Sequence, residues 1–119
     1  MLMGIKNVSD GNDWFEFKVY SSIDDFDDDS FENYCAVYFV AKSRTIGSQF
    51  DYFYIYFGQT ESLKDRFSEH NKQDCFDEHG YTRIGIYEEN DEEKRLELEK
   101  NFIKKHNPPC NEKEKANEK

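Results

Sequence analysis

The stretch YFYIYFGQT, residues 52–60, alternates tyrosine and apolar side chains until a glycine interrupts the run. Successive side chains of a strand point to opposite faces. Tyr52, Tyr54 and Tyr56 are therefore expected on one face, and Phe53, Ile55 and Phe57 on the other. Tyrosine forms strands well, so a half-buried sheet accounts for the row without any chemistry. The second reading gives one of these phenols a chemical role, and the rest of the chain bears on that choice.

Upstream, CAVYFVAK (35–42) reads as the partner strand. Val37, Phe39 and Ala41 face one way, and Ala36, Tyr38 and Val40 the other. SRTIGSQFD (43–51) reads as a loop with Gly47 as its turn residue, which makes 35–57 an antiparallel hairpin with a long loop. Gly58 is read as the end of the strand. Beyond it, Thr60 or Ser62 is expected to cap a helix over 61–72, with Glu61 and Asp65 in its first turns. Leu63, Arg66, Phe67 and His70 fall on one face of that helix. KQDCFDEHGY (72–81) is a connection, and YTRIGIYEE (81–89) is another strand. DEEKRLELEKNFIKKHN (91–107) is the longest helix: it is acidic where it opens, basic where it closes, and stopped by Pro108 and Pro109.

Three segments lie outside this core. Residues 1–13 are polar and expected to be unstructured. WFEFKVY (14–20) has strand composition. SSIDDFDDDSFENY (21–34) holds either a short helix after Ser22, with Ile23 and Phe26 inward, or a loop. The division is an acidic amino-terminal extension (1–34), a folded domain (35–111) and a charged, disordered tail (112–119). The class is α/β in the broad sense, more closely α+β: a central three-stranded antiparallel sheet flanked by helices.

At 119 residues the chain suits one domain, and the 17% of aromatic residues lets few side chains build its core. The formal net charge is −10. Residues 1–34 hold nine acids against Lys6 and Lys18, a net of −7, which leaves −3 on the rest. Such a balance argues against a broad, sequence-independent grip on nucleic acid. Cys35, Cys75 and Cys110 have no metal-ligand spacing and read as free thiols in a reducing compartment. No signal peptide and no membrane span is recognised, so a soluble cytoplasmic protein is expected, with no membrane partner.

Two polar residues stand out. On the last helix Leu96, Leu98, Phe102 and Ile103 form an apolar stripe with Glu99 in its middle. A carboxylate there needs a partner, a metal or a helix rolled far enough to wet it; Arg66 and Arg95 are the candidate ion-pair partners. Arg66 and His70 share the face of Leu63 and Phe67, where an arginine stem can also simply lie over apolar surface.

These residues carry a resemblance. AVY (36–38), YFG (56–58), QTESLKDR (59–66), His70, ELEKNFI (97–103) and PPCN (108–111) resemble the GIY-YIG nuclease domain. That family's pattern is a GIY strand, a YIG strand, an Arg ten residues after the second tyrosine, a Glu on a later helix, then P-x-N. Here Tyr56 and Arg66 are ten residues apart, and Glu99 and Asn111 twelve. Ala36 replaces the first glycine and Phe57 the isoleucine. Gln59 stands where a lysine often follows, and the loop between the motifs is longer than usual.

The resemblance implies a metal-dependent endonuclease that hydrolyses nucleic-acid phosphodiester bonds, with DNA ahead of RNA as substrate. One divalent ion, Mg²⁺ or Mn²⁺, would be held by Glu99. Tyr56 would act as general base with Tyr38 as its partner, Arg66 would contact the phosphate, and His70 would assist proton transfer. Gly58, Gln59, Lys64 and Asn111 are the expected substrate-side residues, with Asn111 also ordering the segment after the prolines. The alternative is an inactive or weak domain kept for binding nucleic acid or protein, with the acidic segment as the protein-binding element.

Overall fold

The computed structural model of the chain describes residues 2–22, 33–47, 49–68 and 72–111. The helix considered after Ser22, with Ile23 and Phe26, and the tail at 112–119 lie outside them. Residues 1–13, expected to be unstructured, contribute a strand, β1 (Leu2–Ser9), paired antiparallel with β2 (Trp14–Tyr20). Asp10 and Gly11 make this hairpin. The Asp10 carboxylate accepts the backbone N–H groups of Asn12 and Asp13, both at 2.8 Å, and Gly11 takes φ +100°. Burial alone would raise the Asp10 pKa, but these hydrogen bonds to the ionised form outweigh it and lower it. Aspartate-glycine is a hairpin signal.

Three more strands complete the sheet: β3 (Ala36–Ile46), β4 (Gln49–Thr60) and β5 (Arg83–Glu88). Among the described residues the sheet has five strands, in the order β1-β2-β5-β3-β4, and every pairing is antiparallel. The expected α+β architecture holds, but the sheet is wider than the three strands expected because β1 and β2 extend it beyond β5. The long loop at 43–51 is also corrected. Ile46 pairs with Gln49, and Gly47 turns the chain at φ +63°.

The largest departure lies within the tyrosine row. Val40 faces Tyr56 and Ala41 faces Tyr54, so Ile55 is an extra residue on β4, a β-bulge. The bulge breaks the period of two. Tyr56 joins Phe53 and Ile55 on one face of the sheet, while Tyr52 and Tyr54 lie on the other face with Phe57. Strict alternation in sequence therefore misplaced Tyr56 by one face. The bulge turns it towards Tyr38.

The two faces have different covers. Tyr38, Val40, Ile55 and Tyr56 pack with Leu63 of α1 (Leu63–Ser68), Phe76 of α2 (Gln73–Glu78) and Cys110 in a helical turn at 109–111. Val37, Phe39 and Phe57 pack with Leu98 and Phe102 of α3 (Glu92–His106). The Phe57 and Phe102 rings stack with centroids 4.9 Å apart. Gly85 in β5 leaves the space that the Phe39 ring occupies.

The helices depart from expectation in detail. The connection at 72–81 contains α2, held by the single buried residue Phe76, too little periodicity to signal a helix. At the start of α1 the Thr60 hydroxyl accepts the Ser62 amide at 3.1 Å, and the amide of Lys64 goes to the Asn33 side chain, at 3.0 Å. Asp91 caps α3 by accepting the Glu93 amide, and Asn107 closes it at φ 48° ahead of the prolines. The inward stripe of α3 is Arg95, Leu98 and Phe102, and Leu96 is exposed. Among the described residues no helix is long and apolar enough to cross a membrane.

The cysteine expectation is overturned. Cys75 and Cys110 form a disulfide with Cα atoms 6.1 Å apart, and only Cys35 is free. The pair is 35 residues apart in sequence, and the packing of α2 against the 109–111 turn brings it together. The argument from free thiols to a reducing compartment falls with it.

Candidate active site

Tyr38 on β3 and Tyr56 on β4 project from neighbouring strands into one face, with ring centroids 6.0 Å apart. Arg66 on α1 reaches both. Its Nε–H donates to the Tyr38 hydroxyl at 3.0 Å, and its Nη2 donates to the Tyr56 hydroxyl at 3.4 Å. The planar guanidinium fork fits two oxygens from separate strands, which an ammonium would not hold in the same way. In sequence the ten-residue spacing links Tyr56 to Arg66, and Tyr38 joins them only through the AVY motif of the resemblance.

Gly58 is the residue that permits the arrangement. It does not end β4 as expected; it lies within the strand, opposite Tyr38. A Cβ at Gly58 would sit 2.5 Å from the Tyr38 hydroxyl oxygen and 2.8 Å from Cε2 of Tyr56. Its backbone thus gives the two rings their space, and side-chain size rather than turn geometry selects the glycine.

The electrostatics differ around the group. Burial drives the Tyr38 pKa well above that of a free phenol. Tyr56 and Glu99 push it further up, and Arg66 opposes them. For Arg66, burial works to lower the pKa, but the two phenols outweigh it, so the guanidinium is held more firmly charged. Tyr38 is fully buried and stays protonated through neutral pH. Glu99 is half-buried on α3, close enough for its charge to act on Tyr38.

One turn before Glu99 on α3 lies a buried arginine. Arg95 is 2% exposed. Its Nε donates to the Gln59 side chain at 3.0 Å, and its Nη1 donates to the carbonyls of Glu89 and Asn90 at 3.0 and 3.1 Å. Residues four apart share a helix face, so Arg95 ties the face that carries Glu99 to β4 through Gln59. Gln59 therefore has a structural bond of its own beside the site. The sequence signal for Arg95 was present, since it is spaced i, i+3, i+7 with Leu98 and Phe102.

Asn111 is buried behind the other side of the group. Its Oδ1 accepts the Phe57 N–H at 2.8 Å, and its Nδ2 donates to the Phe57 carbonyl at 2.9 Å. β4 is an edge strand, and the carboxamide pairs the backbone groups that the edge would leave open. Asn111→Ala should cost about 2–4 kcal/mol, because two buried backbone groups lose partners at about 1–3 kcal/mol each and repacking returns part of it. Denaturant unfolding measures this; an unchanged midpoint contradicts it.

Lys64 is half-buried on the first turn of α1, and His70 lies outside the described residues. Gln59, Thr60, Glu61, Ser62, Asp65 and Arg66 line an open depression beside the phenol–guanidinium group. It carries two carboxylates beside one guanidinium. The sequence reading named Arg95 only as a possible partner of Glu99, and it missed the capping Asn33 and Phe76, whose ring lies 5.4 Å from that of Tyr56.

A family model described as the GIY-YIG catalytic domain matches residues 34–115 of the 119-residue chain. No curated protein and no solved structure matches it.

Proposed function

The chain belongs to the GIY-YIG family, a family of nucleases, and from that premise we propose that it is an endonuclease acting on nucleic acid, DNA ahead of RNA, with one Mg²⁺ or Mn²⁺ held at Glu99. The observation that carries the reading is the bridge from Arg66 to both Tyr38 and Tyr56 across the gap at Gly58.

The donor set fits a hard cation. Glu99 and the phenols offer oxygen alone, and a lone carboxylate suits an ion that keeps most of its waters. Such an ion, when bound, neutralises phosphate and leaving-group charge. The remaining steps fall to the chain. Arg66 binds the non-bridging phosphate oxygens and stabilises negative charge on the Tyr56 oxygen. Tyr56, as the phenolate left when its own proton passes to solvent, takes the proton of the attacking water. Tyr38, held neutral by its burial, accepts from Arg66 and keeps its own proton, which makes it a positioning partner rather than a second base. Asn111 acts through the strand, fixing Phe57 and hence Tyr56. His70 is assigned the assisting proton transfer on the family's pattern alone. Residues 35–111 form the nuclease domain in this reading, with the acidic residues 1–34 as an extension.

A second reading, a domain that binds without cleaving, draws support from Glu61 and Asp65 in the depression and from the net charge of −10. Incubation with supercoiled, linear and branched DNA and with RNA, in Mg²⁺, Mn²⁺ or chelator, separates the two. Cation-dependent cleavage of DNA is expected. Binding without cleavage of any substrate would favour the second reading.

A further inference from the structure

We propose that Cys75, His79 and Cys110 form a second metal site, one that takes a soft divalent cation such as Zn²⁺ when the Cys75–Cys110 disulfide is reduced. The site is separate from Glu99 in chemistry. It offers two thiolates and an imidazole, whereas Glu99 offers hard oxygen.

Cys75 and His79 are four residues apart, at α2 and its carboxy-terminal cap, so their side chains lie on one face. Cys110 meets them from the 109–111 turn. The three ligand atoms lie within 4.8 Å of one another, and no fourth His, Cys, Asp or Glu joins them among the described residues. His79 Nδ1 lies 3.9 Å from each sulfur. Zn–S bonds of about 2.3 Å and Zn–N bonds of about 2.0–2.1 Å give a tetrahedral S···N edge of about 3.6 Å. The imidazole is thus already near its ligating distance, and the movement needed is separation of the sulfurs to about 3.8 Å. Cys110 is buried while Cys75 and His79 are half-buried, so the site is dry on one side and open to a cation on the other. Two thiolates, one imidazole and a water complete four-coordination.

The exchange balances. A dithiol reductant delivers two electrons and two protons to the Cys75–Cys110 bond and leaves as its own disulfide. The cation then displaces both thiol protons. It also takes the place of the Nδ1 proton that His79 donates to the Cys75 carbonyl at 2.9 Å, and that proton moves to Nε2. Either bond joins the same two segments behind the phenols. Phe76 beside Cys75 packs on Tyr56, and Asn111 beside Cys110 holds Phe57.

The test uses the full chain, kept reduced with a phosphine, stripped with chelator and titrated with Zn²⁺ and Co²⁺. About one equivalent of Zn²⁺ should survive gel filtration, and zinc should shield two of the three thiols from a thiol reagent. Cobalt should give thiolate-to-metal charge-transfer absorption. Cys35→Ser and Glu99→Gln should retain the zinc. Cys75→Ser and Cys110→Ser should lose it, and His79→Ala should weaken it by more than the roughly 10- to 100-fold that loss of an outer-shell partner costs. Reduced wild-type protein with three reactive thiols in excess Zn²⁺, or a cobalt complex without thiolate absorption, overturns the proposal whether or not the cysteine variants fold.

Discussion

Tyr56→Phe should slow cleavage about 100- to 10,000-fold, the range removed with a general base, while leaving the fold intact. The ring is the part that packs: it is buried to 3% exposure against Phe76 and 6.0 Å from Tyr38. The hydroxyl alone meets Arg66, through the longer of that residue's two bonds. Removing it should therefore change rate far more than stability. Tyr38→Phe provides the contrast. Its hydroxyl accepts the shorter bond from Arg66 at 3.0 Å in a fully buried position, so its loss should cost stability, about 1–3 kcal/mol, as well as rate. Single-turnover cleavage and thermal unfolding of both variants separate the roles. Equal, small rate losses for the two would contradict the assignment of Tyr56 as base.

Gly58→Ala should be nearly as damaging, by a different route. The added methyl would lie 2.5 Å from the Tyr38 hydroxyl oxygen and 2.6 Å from its Cζ. Tyr38 is fully buried and cannot swing into solvent, so strand or ring must shift. Overpacking of this kind costs about 1–3 kcal/mol. The displaced hydroxyl is the one that fixes Arg66, and misplacing a charged donor costs about 100-fold in rate. Melting temperature and cleavage rate should fall together, and loss of one alone would sink this account of the glycine.

The site was legible in sequence where its spacing is local. Tyr56 and Arg66 are ten residues apart across one strand-to-helix junction, and that junction places both near Tyr38. The faces of β3 were also legible, because nothing interrupts its period of two before the pairing shifts at Ala41. What was not legible is what depends on partners far along the chain. The bulge at Ile55 leaves no mark in an alternating row, since it is defined only by what lies opposite on β3. Arg95 was legible only as a candidate ion-pair partner of Glu99, whereas its side chain bonds to Gln59 and to two carbonyls outside the helix. The cysteines looked unrelated until α2 met the turn at 109–111. The β1–β2 hairpin is the exception: Asp10 and Gly11 announced it locally, and the polar character of its flanks outweighed them.

The most direct test of the account is cleavage of supercoiled DNA by wild-type protein and Glu99→Gln, with Mg²⁺ or Mn²⁺ titrated in each. The substitution keeps the size of the side chain and removes its charge. Wild-type protein should cleave in proportion to bound cation, and Glu99→Gln should fall about 1,000-fold and stop responding to cation. Cleavage by Glu99→Gln at the wild-type rate, with the same cation dependence, would contradict the account.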